Sequence, residues 1–352
     1  MNDYENGTPA ASAYQIAREH LESEQYQWVI TGVAGFIGSN LLQTLLELGQ
    51  RVTGVDNFLT GYRDNLDQVR AQVGETAWRR FELVEGDIRD QAVCRRACDS
   101  ADYLLHQAAL GSVARSIDDP LLSNDINIAG YVNVLDAARL AGVRRVVYAA
   151  SSASYGDHPA LPKREPQIGV ALSPYALTKY VNELYAGVYA RCYGTEAIGL
   201  RYFNVYGPRQ DPAGAYAAVI PQWVAAMIGR RQLIINGDGE SSRDFCYVAN
   251  AVQANLLAAL VDKPAAVNQV YNVALNARTS LNELYLMLHK LLVDRYPHLR
   301  DYQPQYGEFR VGDVRHSQAD ISKAENLLGY APTHDLHRGL RQALRWYEAH
   351  LA

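Results

Sequence analysis

The hydrophobic pattern of residues 27–206 alternates between short apolar runs and amphipathic stretches. Six apolar runs have the length of strands, at residues 28–31, 51–56, 81–87, 103–109, 145–151 and 197–206. Between them, apolar residues recur at the three- and four-residue spacing of a helix at residues 37–48, 92–98, 127–141 and 174–193. Strands that are apolar throughout are buried on both faces, and strand–helix alternation builds parallel sheets. The pattern therefore predicts an α/β fold with a doubly wound parallel sheet.

After residue 206 the pattern is interrupted by proline and glycine, and the elements become shorter. We expect a domain of residues 27–206 that contains the sheet, followed by a smaller α/β lobe of residues 207–352, partly interleaved with it. Residues 1–26 have the polar pattern of an arm or an extra helix, and the sequence assigns them no role.

The composition is that of a globular protein. The 352 residues are 48% hydrophobic and 20% charged, with a mean hydropathy of -0.21, and no run approaches the roughly 18 apolar residues of a membrane span. The first 27 residues carry no basic segment followed by an apolar one, so a secretory signal is not expected. We expect a soluble, cytoplasmic protein.

The charges and cysteines exclude several classes of function. Lysine and arginine total 33 against 38 acidic residues, a net charge of -5, with no basic run that could follow a nucleic acid. We therefore expect no nucleic-acid and no membrane partner. The four cysteines are too scattered for a disulfide framework or a zinc site, so we expect reduced thiols and no metal: Cys94, Cys98, Cys192 and Cys246.

Three glycines follow the first strand at Gly32, Gly35 and Gly38, immediately before a helix. At a strand-to-helix turn, glycines let the backbone approach a pyrophosphate and direct the helix N-terminus at its charge. Asp56 closes the second strand, where a carboxylate accepts hydrogen bonds from the adenosine ribose and repels a 2′-phosphate. The pattern predicts NAD rather than NADP. Asp87 and Ile88 could meet the adenine, although a simple strand end fits their pattern equally well.

A second motif is Tyr175 with Lys179, four residues apart and therefore on one face of a helix whose N-cap is Ser173. A tyrosine base near pH 7 needs its pKa lowered from about 10, which the lysine ammonium and an oxidised nicotinamide can do. Ser151 ends the fifth strand at the sheet edge where such folds bind ligands, and its hydroxyl can bridge Tyr175 and a substrate hydroxyl.

Together these motifs resemble those of the extended short-chain dehydrogenase/reductases, which have Rossmann-like sheets. More narrowly, the segments Leu110-Gly111-Ser112-Val113, Gly207-Pro208-Arg209-Gln210-Asp211-Pro212 and Gly312-Asp313-Val314-Arg315-His316-Ser317 resemble the bacterial UDP-N-acetylhexosamine 4-epimerases. The resemblance covers nearly the whole chain after about residue 26. It implies 4-epimerisation of UDP-GlcNAc and UDP-GalNAc through a transient 4-keto sugar, for surface polysaccharide biosynthesis.

The resemblance also implies roles for individual residues. Tyr175 would be the base, Lys179 its electrostatic partner and Ser151 the hydroxyl bridge. NAD would be held by Gly32, Gly35, Phe36, Ile37, Gly38, Asp56, Asn57, Phe58, Thr60, Gly61, Asp87, Ile88, Gln107, Ala108, Ala109, Asn127, Tyr175, Lys179 and Tyr202. The UDP-sugar would be held by Ser112, Ser151, Ser152, Tyr175, Asn204, Gln210, Ala218, Val219, Asn236, Arg243, Arg310, Asp313 and Ser317.

The sugar preference is the least determined part of this interpretation. In the resembling enzymes a tyrosine at the position of Ser317 restricts the substrate to plain hexoses, whereas a small residue leaves room for an acetamido group. Ala153 and Ala114 replace a serine and a proline of the resembling pattern near the sugar. A UDP-N-acetylhexosaminuronic acid or UDP-Glc/UDP-Gal therefore stay open as substrates.

Two other functions compete with epimerisation. A 4,6-dehydratase needs an Asp-Glu pair after Ser151, where this chain has Ser152 and Ala153. A non-catalytic NAD-sensing protein would need neither Tyr175 nor Lys179. The resemblance further implies a homodimer, in which helices 127–141 and 174–193 pair through apolar residues that include Leu184, Val188 and Tyr189.

Overall fold

The computed structural model describes residues 11–212, 218–309 and 314–351. Its strands are β1 (Gln27–Thr31), β2 (Arg51–Asp56), β3 (Phe81–Glu85), β4 (Tyr103–His106), β5 (Arg145–Ser151), β6 (Ala197–Tyr202), β7 (Val205–Tyr206), β8 (Ile234–Asn236), β9 (Ser242–Arg243), β10 (Cys246–Tyr247), β11 (Val270–Val273), β12 (Thr279–Ser280) and β13 (Gln305–Gly307). Seven of them form one parallel sheet in the order β3-β2-β1-β4-β5-β6-β11. The order reverses between β1 and β4, which is where such sheets open a ligand crevice.

The α-helices cover both faces of this sheet and build the C-terminal lobe. They are α1 (Ala13–Ser23), α2 (Phe36–Glu47), α3 (Arg63–Trp78), α4 (Gln91–Cys98), α5 (Val113–Asp118), α6 (Pro120–Asn124), α7 (Tyr131–Ala141), α8 (Pro174–Tyr193), α9 (Val219–Ile228), α10 (Val248–Leu260), α11 (Leu281–Leu292), α12 (Ser322–Leu328) and α13 (Leu336–Leu351). None of the described helices is long and apolar enough to cross a membrane.

Three apolar clusters make up the core. Buried leucines of α2 pack with α1, α10 and α12 on one face of the sheet, and α4, α7 and α8 pack on the other. The third cluster joins α9, α11 and α13 in the C-terminal lobe. Residues after 206 therefore supply both this lobe and the edge strand β11 of the sheet. The division into domains at residues 26 and 206 stays a prediction.

The doubly wound parallel sheet predicted from the sequence is confirmed. The bounds of β2, β5 and α8 agree with the prediction, whereas the expected strand 197–206 divides into β6 and β7. It divides because Asn204 has a φ of 35°, a left-handed conformation that a strand cannot contain. The expected helix 127–141 begins instead as a π-helix, Asp125–Gly130, and α3 was not expected because its sequence is mostly polar.

The extra helix α1 is fixed to the sheet by Gln50, which is fully buried. The Gln50 amide nitrogen donates to the carbonyl oxygens of Leu21, at 2.5 Å, and Glu24, at 2.9 Å. Its amide oxygen accepts from the Tyr26 backbone nitrogen at 2.9 Å and from the Trp28 indole at 3.2 Å. One side chain thus joins the end of α1 to the start of β1.

Candidate active site

The turn between β1 and α2 has the close backbone packing of an anion cradle. Gly32 has a φ of 71°, and a Cβ on it would lie 2.7 Å from the Ala108 backbone nitrogen. A Cβ on Gly38 would lie 2.1 Å from the Gly32 oxygen. Gly35, the N-cap of α2, has no side chain that could cap the helix. The first amide groups of the helix therefore face the cavity with no capping side chain on them. This geometry fits a pyrophosphate.

Asp56, at the end of β2, is held by the turn that it faces. Its two carboxylate oxygens accept hydrogen bonds from the backbone nitrogens of Ala34, at 2.9 Å, and Phe58, at 2.8 Å. Burial raises the pKa of this carboxyl, and the backbone hydrogen bonds oppose that effect. Asn57 donates to Asp87 at 2.8 Å, which joins the loop after β2 to the residues after β3. The side chain of Asp56 lines a cavity of about 780 Å³.

Ser151, Tyr175 and Lys179 line the same cavity. Ser173 caps α8 by accepting from the Ala176 nitrogen at 3.1 Å, so Tyr175 stands in the first turn, as predicted. Lys179 is 2% exposed, and its Nζ donates to the Ala149 carbonyl oxygen at 2.9 Å. This contact fixes the ammonium group against the end of β5, beside Ser151.

Burial controls the electrostatics of these groups. It raises the pKa of Tyr175, while a hydrogen bond with Ser151 lowers it. It lowers the pKa of Lys179 to about 8. Both shifts disfavour the charged form, because an apolar environment solvates ions poorly. A tyrosinate therefore needs further positive charge in the cavity, which an oxidised nicotinamide ring carries.

The side of the cavity toward β6 is formed by a triangle of amide and phenol groups. Tyr202 donates to the Gln107 oxygen at 3.2 Å and accepts from Asn255 at 2.7 Å, and Gln107 donates to Asn255 at 3.2 Å. Gln107 and Tyr202 were predicted from the sequence. Asn255, in the middle of α10, was not, because nothing in its local pattern differs from a buried helix position.

A second cavity, of about 840 Å³, adjoins the first, and Asn204, Val205 and Ala218 line both. It lies in the C-terminal lobe, where Trp223 and Phe245 provide apolar walls and Asn236 and Arg243 provide polar groups. The two cavities meet at the three residues that line both, and Tyr175 lines the first cavity. The described part of the chain holds no group of three or more His, Cys, Asp or Glu side chains suited to a metal ion.

Comparison with protein families identifies this arrangement. A model of the NAD-dependent epimerase/dehydratase family matches residues 28–274. The chain belongs to this family. Membership confirms the cofactor predicted from Gly32–Gly38 and Asp56, which is NAD.

Relatives of this family member include several UDP-sugar 4-epimerases. The chain is 34% identical over 321 residues to the UDP-glucose 4-epimerase of Mycolicibacterium smegmatis, covering 91% of this chain and 97% of that protein. Among solved structures, UDP-N-acetylglucosamine 4-epimerase from Methanobrevibacter ruminantium, in complex with UDP-N-acetylmuramic acid, is 34% identical with a TM-score of 0.84. The match covers 93% of this chain and 99% of that one.

A further neighbour is the UDP-glucuronic acid 4-epimerase of Bacillus cereus, in complex with UDP-glucuronic acid and NAD. It is 28% identical with a TM-score of 0.81, and the match covers 92% of this chain and 99% of that one. The names of these relatives give different UDP-sugars but one reaction, 4-epimerisation. The chain is therefore an enzyme of the UDP-sugar 4-epimerase family.

The structure brings most residues predicted for this epimerase family together. The first cavity is lined by Gly32, Gly35, Phe36, Ile37, Gly38, Asp56, Asn57, Thr60, Gly61, Asp87, Ile88, Gln107, Ala108, Ala109, Ser112, Ser151, Ser152, Tyr175, Lys179, Tyr202, Asn204, Gln210 and Ala218. The second is lined by Asn204, Ala218, Val219, Asn236 and Arg243. The individual contacts of these residues with ligands stay predictions.

Five predicted residues are placed differently or lie outside the described part. Phe58, Asn127 and Ser317 do not line either cavity. Asn127 is buried and bonds the backbone of Leu110 and the Thr178 hydroxyl, so it supports the cavity wall from behind. Ser317 is half-buried, and its nitrogen donates to Ser242 at 3.0 Å. Arg310 and Asp313 lie outside the described residues.

Several lining residues were not predicted from the sequence, among them Leu59, Arg115, Ile126 and Asp211 in the first cavity. Trp223 and Arg231 were missed in the second. Asp211 belongs to segment 207–212, which carried the resemblance, so it could have been assigned to the site.

Proposed function

We propose that this protein interconverts UDP-GlcNAc and UDP-GalNAc by epimerisation at C4′ of the sugar. The observation that carries the proposal is the convergence of Ser151, Tyr175 and Lys179 in the cavity that adjoins the Arg243 cavity. The cofactor site holds NAD through Gly32–Gly38 and Asp56. The chemistry that bound NAD supplies is reversible oxidation at C4′.

Tyr175 removes the proton of the 4′-hydroxyl and later returns it to the 4-keto sugar. Ser151 bridges the substrate hydroxyl and the tyrosine, because its hydroxyl both donates and accepts. Lys179 holds the tyrosinate electrostatically, since its ammonium group is fixed near β5 by the Ala149 carbonyl. General acid–base catalysis of this kind contributes about 10²- to 10⁴-fold.

The second cavity accommodates the UDP part of the substrate. Arg243 is the residue type that binds phosphate with two parallel hydrogen bonds, and with Asn204 and Arg310 it holds the diphosphate. Ala218, Val219 and Asn236 contact the uridine, and Asp313 its ribose. The sugar then extends toward Ser112, Ser152 and Ser317, where rotation about the phosphate link presents either face of the ketone to the same cofactor.

An N-acetylhexosamine is the favoured sugar because Ser317 is small, and because the Methanobrevibacter enzyme is a UDP-N-acetylglucosamine 4-epimerase. A hexuronic acid is the second candidate. Arg115 lines the same cavity as Ser112, and a cation there suits a carboxylate at C6′ of the sugar. The Bacillus cereus enzyme is a UDP-glucuronic acid 4-epimerase.

Dehydration is disfavoured although the family includes dehydratases. Elimination of water across C5 and C6 needs an acid and a base next to the reacting carbons. The residues after Ser151 are Ser152 and Ala153, which supply neither. A cytoplasmic location, a homodimer and a role in making surface polysaccharide are part of the same proposal.

The test is a panel of UDP-sugars with the purified enzyme and no added reductant, followed by NMR of the anomeric protons. We expect UDP-GlcNAc and UDP-GalNAc to interconvert without net formation of NADH. Faster turnover of a UDP-hexuronic acid would favour the second candidate. Stoichiometric NADH, or release of a 4-keto-6-deoxy sugar, would contradict epimerisation, and binding of NAD without any turnover would favour a sensing protein.

A further inference from the structure

Residues 207–212 form a loop that joins the two cavities. A buried arginine anchors this loop to α2, the helix that follows the Gly32–Gly38 turn. The residues just before the loop, Asn204 and Val205, line both cavities. Within it, Gln210 and Asp211 line the cofactor cavity, and Pro212 lines the other. Arg209 points away from both and is only 3% exposed.

The Arg209 guanidinium spreads over α2 and α3. It donates to Ser39 at 3.0 Å, Asn40 at 2.8 Å, Gln43 at 2.9 Å and Gln72 at 3.3 Å. All four acceptors are neutral. The Asn40 amide in turn donates to Pro208 in the loop, at 3.1 Å, and to Phe36 in the first turn of α2, at 2.8 Å. The loop is therefore bonded to the helix that forms the pyrophosphate cradle.

This anchor is energetically expensive. Arg209 has a φ of 67°, a left-handed conformation that is strained for a residue with a Cβ. Burial of its charge among neutral partners lowers the pKa of the guanidinium to about 10. A glycine at position 209 would adopt the same turn with less backbone strain, and it would not bury a charged group. The geometry thus indicates a need for a rigid connection at this point.

A second contact ties the loop to the segment that follows β2. The Tyr62 hydroxyl donates to Asp211 at 2.6 Å, and Tyr62 belongs to the segment that follows Asp56 and carries Thr60 and Gly61. Both α2 and the segment after β2 are therefore bonded to residues 207–212. Movement of this loop must move the lining of both cavities.

We propose that Arg209 is a positioning residue that couples the cofactor site to the UDP site. Its hydrogen bonds connect α2 and loop 207–212 rigidly. A UDP group in the second cavity would therefore hold Gln210 and Asp211 against bound NAD. The inference rests on the proposed function for the identity of the second ligand. It predicts that UDP slows the release of NAD, through Arg209.

The experiment measures the rate at which the NAD-loaded enzyme releases NAD into an excess of a scavenging dehydrogenase, with and without saturating UDP. In the natural protein we expect UDP to slow release tenfold or more. In Arg209→Met, which keeps the aliphatic bulk and loses the hydrogen bonds, the effect of UDP should fall below twofold. Arg209→Lys keeps the charge and should retain an effect of about three- to fivefold.

A matched control separates coupling from stability. Arg145 is also a buried arginine, bonded to Glu196 and to carbonyl oxygens of Ala258 and Val261. Arg145→Met should lower the melting temperature and keep the full UDP effect. If Arg209→Met is insoluble, Gln43→Met removes one acceptor instead and should reduce the UDP effect two- to threefold.

Equal UDP effects in the natural protein and Arg209→Met, or no effect of UDP in the natural protein, would overturn the coupling. The readout needs no turnover, which separates this inference from the proposed function. Epimerisation with an unchanged UDP effect in Arg209→Met refutes only the role of Arg209. A UDP effect that depends on Arg209 in a protein inert toward every UDP-sugar supports the coupling and refutes only the epimerase.

Discussion

The Tyr175 hydroxyl is the proposed proton acceptor, and phenylalanine removes it while it keeps the ring. Tyr175→Phe should lower kcat about 10³-fold, in the range by which general acid–base groups accelerate reactions. Bound NAD and the melting temperature should not change, because the ring still fills the site. The measurement is steady-state kinetics with UDP-GalNAc together with the NAD content of the purified variant.

Tyr185→Phe is the control for this substitution, since Tyr185 lies on the same helix and is 37% exposed. It should keep the activity of the natural protein. A rate for Tyr175→Phe within tenfold of that activity would place the base at another residue.

Ser317 is expected to decide whether an acetamido group fits. Its backbone nitrogen donates to the carbonyl oxygen of Ser242, the neighbour of Arg243, so position 317 lies next to a residue of the proposed UDP-sugar site. Ser317→Tyr should abolish turnover of UDP-GalNAc and spare UDP-Gal, because only the acetamido group needs the space. Kinetics with both substrates measure the discrimination.

Ser317→Ala serves as the control, because alanine is as small as serine and should leave both rates within about threefold. Equal losses on UDP-GalNAc and UDP-Gal in Ser317→Tyr would show that the residue does not gate the sugar site. The N-acetylhexosamine assignment would then rest on similarity alone.

Residues whose chemistry demands one amino acid at one end of an element could be predicted from the sequence. Gly32, Asp56, Tyr175 and Lys179 are of this kind, and all line the cofactor cavity. Asn255 could not be predicted as a member of the site, because its contacts come from segments far away in the sequence. A local pattern contains no signal for such tertiary contacts.

Helix α1 has no assigned function, and the hydrogen bonds of Gln50 attach it to the sheet. Gln50→Leu should destabilise the protein by on the order of 3 kcal/mol, because the backbone groups of Leu21, Glu24 and Tyr26 lose a buried partner that leucine cannot replace. Calorimetric melting temperatures measure the effect. NAD content should not change, since Gln50 lies outside the lining of both cavities.

Gln25→Leu is the comparison, because Gln25 is an exposed glutamine of the same region whose amide reaches Gly49. It should change stability by less than about 1 kcal/mol. If Gln50→Leu lowers the melting temperature no more than Gln25→Leu, the buried hydrogen bonds do not hold α1.

The elements were predictable to the extent that their hydrophobic period was visible. The sheet strands β2 and β5 are apolar runs between turns, and their bounds follow from the sequence. Helix α3 is largely polar with little periodicity, so its formation depends on a few buried contacts such as Leu66 and Val69 against the core. The π-helix before α7 has no sequence period of its own and could not be anticipated.

The outer faces of α7 and α8 expose apolar side chains. Leu140 is 54% exposed on α7, and Leu184 and Val188 are 51% and 40% exposed on α8. Tyr189 was predicted to belong to this surface, but it is buried in the apolar cluster that α4, α7 and α8 form on one face of the sheet. Apolar side chains exposed on two neighbouring helices are typical of an interface.

We expect two chains to pair these helices as a four-helix bundle, which buries the exposed leucines of both copies. Light scattering at micromolar concentration should give twice the chain mass of 39.1 kDa. The double substitution Leu184→Glu and Val188→Glu should give the single-chain mass and retain NAD, because a buried carboxylate without a partner opposes association and neither residue lines the cofactor cavity. Leu286→Glu, at a 62% exposed position on α11, should leave the dimer intact. A mass of 39.1 kDa for the natural protein would exclude this interface, and the exposed face would then need another partner.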